Sequence, residues 1–212
     1  NTSNPTIEVP IITKTSAKSN VNTKKLDEDE YLKWFINMEP MDQEQEMHKI
    51  KRSIGSFYTL GRYHDALHSA LRLESVVKET IGESSTVYAS CLNNIALMNK
   101  MLGNNDAALN KYIDCIQVYE KTVGKNHSNY AASLNNIGIL YRTMSETTKG
   151  LQNMEYLKNA EDALNTALNI RIDLALNKEL SNSREALNSA MNLAMVTRLK
   201  PAVTNVSNSD IN

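Results

Sequence analysis

Apolar side chains recur along this chain at helical spacing. Tyr63, Ala66, Leu67, Ala70, Leu71 and Leu73 share one face of a helix that begins near Tyr63. Ala108, Leu109, Tyr112, Cys115, Ile116 and Tyr119 make a second such face, and Ala160, Ala163, Leu164, Ala167, Leu168 and Ile170 a third. Partner helices are predicted over residues 42–60, from near Thr86 to Leu102, and from near Ser128 onward, where Leu134, Ile137, Gly138 and Tyr141 carry the pattern. Gly61 and the run Gly103-Asn104-Asn105 separate the members of each pair as turns. A shorter helix is predicted over residues 27–39. Its acidic run Asp27-Glu28-Asp29-Glu30 suits the positive end of a helix dipole. Tyr31, Leu32, Trp34, Phe35 and Met38 supply apolar surface, and Pro40 ends it.

The pattern is written more than once. Tyr88-Ala89-Ser90-Cys91-Leu92-Asn93-Asn94-Ile95-Ala96 returns 42 residues later as Tyr130-Ala131-Ala132-Ser133-Leu134-Asn135-Asn136-Ile137-Gly138. Thr80-Ile81-Gly82 and Thr122-Val123-Gly124 lead in to the two copies. An earlier, diverged copy keeps Gly61 and Ala66 in register with Gly103 and Ala108, but has Lys51-Arg52 where the asparagine pair stands. The third copy carries about ten extra residues within 143–156, a polar stretch with Gly150, either an enlarged loop or an overlong helix end. A fourth first-helix is signalled by Met191-Asn192-Leu193-Ala194-Met195-Val196-Thr197-Arg198, followed by Pro201 and a Ser/Asn-rich tail. Self-similarity at this period means an array of like units in place of a single enzyme core. Helix pairs of this kind cannot bury their apolar faces alone, so they stack, and a lone last helix caps the array. The fold class is therefore all-α. Residues 1–40 form a polar arm plus a short helix, 41–200 the repeat domain, and 201–212 a polar tail. Close stacking requires small residues where backbones cross, which assigns Ala96 and Gly138 on the first helices and Ala66, Ala108 and Ala160 on the second.

Composition narrows the function classes. A net charge of −1 over 212 residues argues against a general nucleic-acid binder. No apolar run is long enough for a transmembrane helix. Two cysteines, Cys91 and Cys115, fall at core positions of their helices and make neither a CxxC pair nor a disulfide framework. Residues 1–25 carry four Lys and one Glu, with Pro5 and Pro10, and are expected to be disordered unless a neighbouring chain pins them. This basic, acid-poor segment and the start on Asn, not Met, lead us to expect a processed, mitochondrial protein, with the cytoplasm as the alternative.

The motif Leu-Asn-Asn-Ile-Ala/Gly, a glycine turn, Ala-Leu on the second helix and Thr-Val-Gly-x-x-His at its end together resemble the tetratricopeptide repeat. The period of 42 is similar to the kinesin-light-chain variety, against the usual 34. Gly124-Lys125-Asn126-His127 looks like that family's link between repeats, with Ser128 where Pro is usual, and Ala167-Leu168-Asn169-Ile170-Arg171 resembles its second-helix ending. The resemblance covers about residues 42–200. It implies a right-handed superhelical array of antiparallel helix pairs whose first helices line a concave, partner-binding face.

On such a face, residues seven apart lie nearly in line along a helix. Asn93 with Lys100, and Asn135 with Arg142, are so spaced, and Met191 with Arg198 and Lys51 with Tyr58 hold the matching places. Lys100, Arg142 and Arg198 thus form a candidate basic strip for acidic side chains or a carboxylate, with Asn93 and Asn135 bonding a ligand's backbone. The competing reading is that these cations only complement helix dipoles. Asn94, Asn136 and Asn192 lie on another flank and are assigned to contacts between helices. Trp34 is either part of a capping helix or an exposed anchor for a partner. His64-Asp65-Ala66-Leu67-His68 has the two-histidine spacing of a zinc helix, but the repeat already explains Ala66 and Leu67, and no third ligand is apparent. His127 is assigned to the link. No cofactor or metal is expected. The function expected is a non-catalytic protein–protein interaction scaffold, a subunit or assembly factor of a larger complex. The alternative is a free adaptor for short acidic motifs.

Overall fold

The computed structural model describes residues 27–176 and 181–204. The arm at 1–25 and the last eight residues of the tail lie outside them. Among the described residues eight helices follow in order: α1 Glu28–Ile36, α2 Pro40–Thr59, α3 Tyr63–Thr80, α4 Thr86–Met101, α5 Asn105–Thr122, α6 Ser128–Thr147, α7 Leu151–Leu176 and α8 Ser181–Thr204. Three antiparallel pairs, α2–α3, α4–α5 and α6–α7, stack in sequence, and α8 packs on the last of them. No strand occurs among the described residues.

Local chemistry sets the boundaries. Asp27 caps α1 by accepting the Glu30 backbone N–H at 2.8 Å. Ser85 caps α4 through the Tyr88 N–H at 3.1 Å. His127, placed in the link by sequence, serves as the cap of α6, where Nδ1 accepts the Asn129 N–H at 3.1 Å. Gly61 and Gly103, both in the left-handed region with φ of +70° and +80°, close the first two pairs. A side chain at either would strain the backbone.

Two boundaries differ from the sequence reading, and at a third stretch one of its two alternatives, the overlong helix end, is the one that forms. Pro40 opens α2 and α1 already ends at Ile36; a proline lacks the N–H that the first helical position would leave unused. Helix α8 runs through Pro201 to Thr204, because one missing N–H so near a helix end costs only one ladder bond. The stretch 143–156 is no enlarged loop. Ala108 and Ala160 stand 52 residues apart, against 42 for Ala66 and Ala108. Relative to α4 and α5, the difference is taken up as four residues on the end of α6 and six on the start of α7. The hairpin is lengthened by helix, and the turn stays three residues, 148–150. Stacked Tyr141 and Tyr156 rings at 6.1 Å and the buried side chains of Met144 and Leu157 brace the extension.

The core runs as linked clusters along the array. Tyr31 and Phe35 of α1 join Ile50, Ile54, Leu73, Val76 and Val77 beneath the first pair. Ala96, Ala108, Tyr112, Ile137 and Leu140 fill the junction of the second and third. Leu157, Ala160, Leu164 and Val196 hold α8 to α7. Ala66, Ala96, Ala108 and Ala160 are all fully buried. At Gly138 an added Cβ would lie 2.6 Å from Leu164 Cγ and 3.2 Å from the Ala160 carbonyl oxygen. Here α6 and α7 approach as closely as the small-residue pattern requires.

Candidate protein-binding face

The first helices of successive pairs are bonded directly to one another. Asn136 Nδ2 on α6 donates to Asn93 Oδ1 on α4 at 3.0 Å, and Asn192 Nδ2 on α8 donates to Asn135 Oδ1 on α6 at 3.1 Å. Helices α4, α6 and α8 therefore stand side by side as one wall. The second asparagine of each pair reaches back to the first asparagine of the preceding unit, side chain to side chain and not to backbone.

This ladder changes what the asparagines do. Asn135 is buried, and its Oδ1 also accepts from the Ser189 hydroxyl at 3.1 Å. Ser189 in turn accepts from the Arg171 guanidinium, which also donates to the Glu185 backbone carbonyl at 3.1 Å. The carbonyl oxygens of Asn93 and Asn135, expected to meet a ligand's backbone, are committed to the stack instead. A buried amide must satisfy itself from its neighbours, and the neighbouring repeat supplies the partner. Arg171 and Ser189 escaped the sequence reading. The signal lies in the repeat: Arg171 occupies the core position that Tyr119 and Val77 hold in the earlier units. Burial lowers its affinity for its proton, and the Glu185 carboxylate 3.6 Å away works against that.

The basic strip is partly realised. Lys100 is half-buried, and desolvation, reinforced by the nearby positive Arg142, holds its pKa below the usual lysine range. Arg142 donates to Glu146 Oε1 at 2.7 Å across one turn, while its buried Nε has no hydrogen-bond partner. Arg198 is exposed on α8. Lys100 and Arg142 thus face one another across adjacent helices, while Arg198 stands at the array's end.

A row that the sequence reading missed runs beside them. Four residues after Asn93, Asn135 and Met191 stand Leu97, Ile139 and Met195, none of them buried. On the same flank lie Asn94, Asn136 and Asn192, one turn earlier. The wall formed by α4, α6 and α8 therefore carries a central apolar row with cations along one rim. A side-chain count at a fixed offset from the asparagine would have found it.

The remaining candidates fall elsewhere. Trp34 is half-buried with its ring 5.3 Å from Tyr31, at the edge of the cap that α1 forms over the first pair. The Arg72 guanidinium sits 4.0 Å over the Tyr31 ring and pairs with Glu28, tying α1 to α3. His68 lies 3.5 Å from the same carboxylate, whereas His64 is exposed. Among the described residues no group of three or more His, Cys, Asp or Glu side chains could hold a metal. Cys91 and Cys115 are buried, and burial pushes their thiols up to about 12 and about 11. No helix among the described residues is long and apolar enough to cross a membrane.

Residues 92–155 match the family model of the tetratricopeptide repeat. Among solved structures, the crystal structure of BtubC (BKLC) from P. vanneervenii is similar, with a TM-score of 0.56 and 18% identity over 85% of this chain and 73% of that one. No curated protein matches the chain. The matched stretch runs from within α4 to the start of α7, and the distance of 42 residues from Thr86 to Ser128, the starts of α4 and α6, is the period behind the resemblance. Residues 92–155 are thus similar to tetratricopeptide repeats, and among the described residues they sit in an all-α stack, with α1 to α3 before them and the rest of α7 and α8 after.

Proposed function

We propose that this protein is a non-catalytic scaffold that works as a subunit or assembly factor of a larger multiprotein complex, holding a partner segment against the wall of α4, α6 and α8. Tetratricopeptide repeats generally mediate protein–protein contact, and what supports a particular surface here is the row Leu97, Ile139 and Met195. A partly exposed apolar row gains free energy when a partner covers what remains open, at about 25 cal/mol per Å² of apolar surface buried. The asparagine ladder beneath it keeps the wall in one shape, so little ordering is lost on binding. The basic, acid-poor residues 1–25 support a mitochondrial setting, which fractionation of the native source tests.

The free-adaptor reading, capture of a short acidic motif, draws on Lys100 and Arg142. An acidic side chain between them would relieve their mutual repulsion, raise the lysine's affinity for its proton and offer an acceptor to the unpartnered Arg142 Nε. One experiment addresses both readings. Tagged wild-type protein and a Leu97→Glu, Ile139→Glu variant are recovered from the native source and sized under native conditions. The scaffold reading expects wild type in one assembly of fixed composition and the variant as free monomer. Retention of the assembly by the variant removes the wall from the contact. A wild-type monomer that exchanges several cargoes, lost on Lys100→Glu with Arg142→Glu, moves the assignment to the adaptor.

A further inference from the structure

The wall is assembled from three helices, and they are not seated alike. Helices α4 and α6 rest on apolar junctions. Val76 and Val77 of α3 pack with Cys91 and Ile95 of α4, and Cys115 and Tyr119 of α5 pack with Tyr130 of α6. At the next junction the position held by Val77 and Tyr119 is Arg171, 5% exposed. Its guanidinium meets α8, where Nη1 donates to the Glu185 backbone carbonyl at 3.1 Å and to the Ser189 hydroxyl. Ser189 Oγ in turn donates to Asn135 Oδ1 of α6 at 3.1 Å. The Arg171 Nε is buried without a hydrogen-bond partner, and the Glu185 carboxylate stands 3.6 Å from it. Among the residues of α8 whose side chains are described, only Ser189 and Val196 are buried, whereas α6 buries nine residues.

Taking a cation out of water is offset only when its N–H groups all find acceptors, and here one does not. Such a joint fixes where α8 sits, through bonds that one register alone can make, but adds little to how firmly it sits. We propose that α8 docks on the array and leaves it as one unit while α1 to α7 stay folded, switching the wall between three helices and two. Given the wall as the binding surface, the reading on which this inference rests, α8 takes with it Asn192, which bonds Asn135, and Met195, the third member of the apolar row. A partner that contacts all three helices binds the docked form. Its apparent affinity falls with the docked fraction, and its binding in turn holds α8 down. Val196, packed with Leu157, Ala160 and Leu164, supplies the apolar contact that brings α8 back.

The test is hydrogen exchange of the free full chain, read by mass spectrometry at several low urea concentrations. Wild-type α8 is expected to exchange at least about tenfold faster than α6, with a weaker dependence on urea, as an opening smaller than global unfolding requires. Two variants separate the polar joint from simple fraying at the end of an array. Arg171→Met replaces the buried charge by an apolar side chain, and should slow exchange of α8 about tenfold while α4 and α5 stay unchanged. Ser189→Ala removes one acceptor and leaves the guanidinium in place, and should speed exchange of α8 about tenfold. Circular dichroism checks the folding of each variant, and Ser189→Ala, which deletes a single oxygen, decides the matter should Arg171→Met not fold. Wild-type α8 as well protected as α6 overturns the proposal. So does an Arg171→Met chain whose α8 opens no more slowly, or a Ser189→Ala chain whose α8 opens no faster. In the assembly recovered with the wild-type protein, α8 should be at least about tenfold better protected than in the free chain, and equal protection overturns the switch. Failure of the wall reading shows elsewhere, as retention of that assembly by the Leu97→Glu, Ile139→Glu variant.

Discussion

The two ends of this array are built from the same helix pattern and finished in opposite ways. At one end α1 lays Tyr31 and Phe35, at 1% and 0% exposure, over the first pair and clamps itself through Arg72 and Glu28. At the other end α8 keeps Leu187, Met191 and Met195 at 61%, 53% and 46% exposure. It is held inward by Val196 and by the polar chain from Arg171 through Ser189 to Asn135. A closed end terminates a solenoid, because its last apolar face is covered. An open end retains the free energy of covering that face for something else. The difference teaches that the repeat motif alone does not say where binding surface lies; the capping of each end does.

Substitutions can break or sharpen this contrast. The largest effect is expected for Phe35→Ala, which should cost about 3–5 kcal/mol in unfolding free energy, whereas Leu187→Ala at the open end should stay within about 0.5 kcal/mol. Urea denaturation of the two variants measures both, and equal losses would erase the distinction. Next comes the matched pair Gly138→Ala and Ala194→Leu. The first forces a Cβ against Leu164 and the Ala160 carbonyl and should cost about 1–3 kcal/mol, while the second enters open space and should be close to neutral. A neutral Gly138→Ala would mean that α6 and α7 can separate freely.

Asn135→Ala should cost about 1–2 kcal/mol by leaving Ser189 and Asn192 without their shared acceptor, and it should loosen α8 before the rest. Hydrogen exchange would show faster opening of α8 with α2 and α3 unchanged. The smallest effect near neutrality concerns the thiols. Cys91 and Cys115 have folded pKa values raised to about 12 and about 11. A raised value favours the protonated thiol, so the stability it reflects is complete below the unfolded pKa of about 8.5 and is lost as pH rises through the folded values. Melting temperature should be flat from about pH 6 to 8 and fall above about pH 9. Cys91→Ala with Cys115→Ala should flatten part of that fall, and an unchanged alkaline slope would place the loss on the buried tyrosines.

Much of this was readable before any coordinates. Tyr63, Thr86, Gly103 and Ser128 marked helix starts and turns because helical periodicity and glycine turns are local chemistry, settled within a few residues. Ala108 and Gly138 announced close approach because only small side chains permit it. The asparagines were harder. Their recurrence was visible, but whether Asn93 met a ligand or Asn136 depended on which helix stood beside it.

What the sequence by itself determined was the period, the helix pairs and the small-residue contacts, since each follows from spacing along one chain. Tertiary structure alone decided the rest. It spent the ten extra residues on helix, turned the twin asparagines into one ladder, drew Arg171 into the core and left the Ala194 face of α8 open. Each of these rests on contact between segments up to 57 residues apart, where a side chain's partner is set by packing and not by its neighbours in sequence.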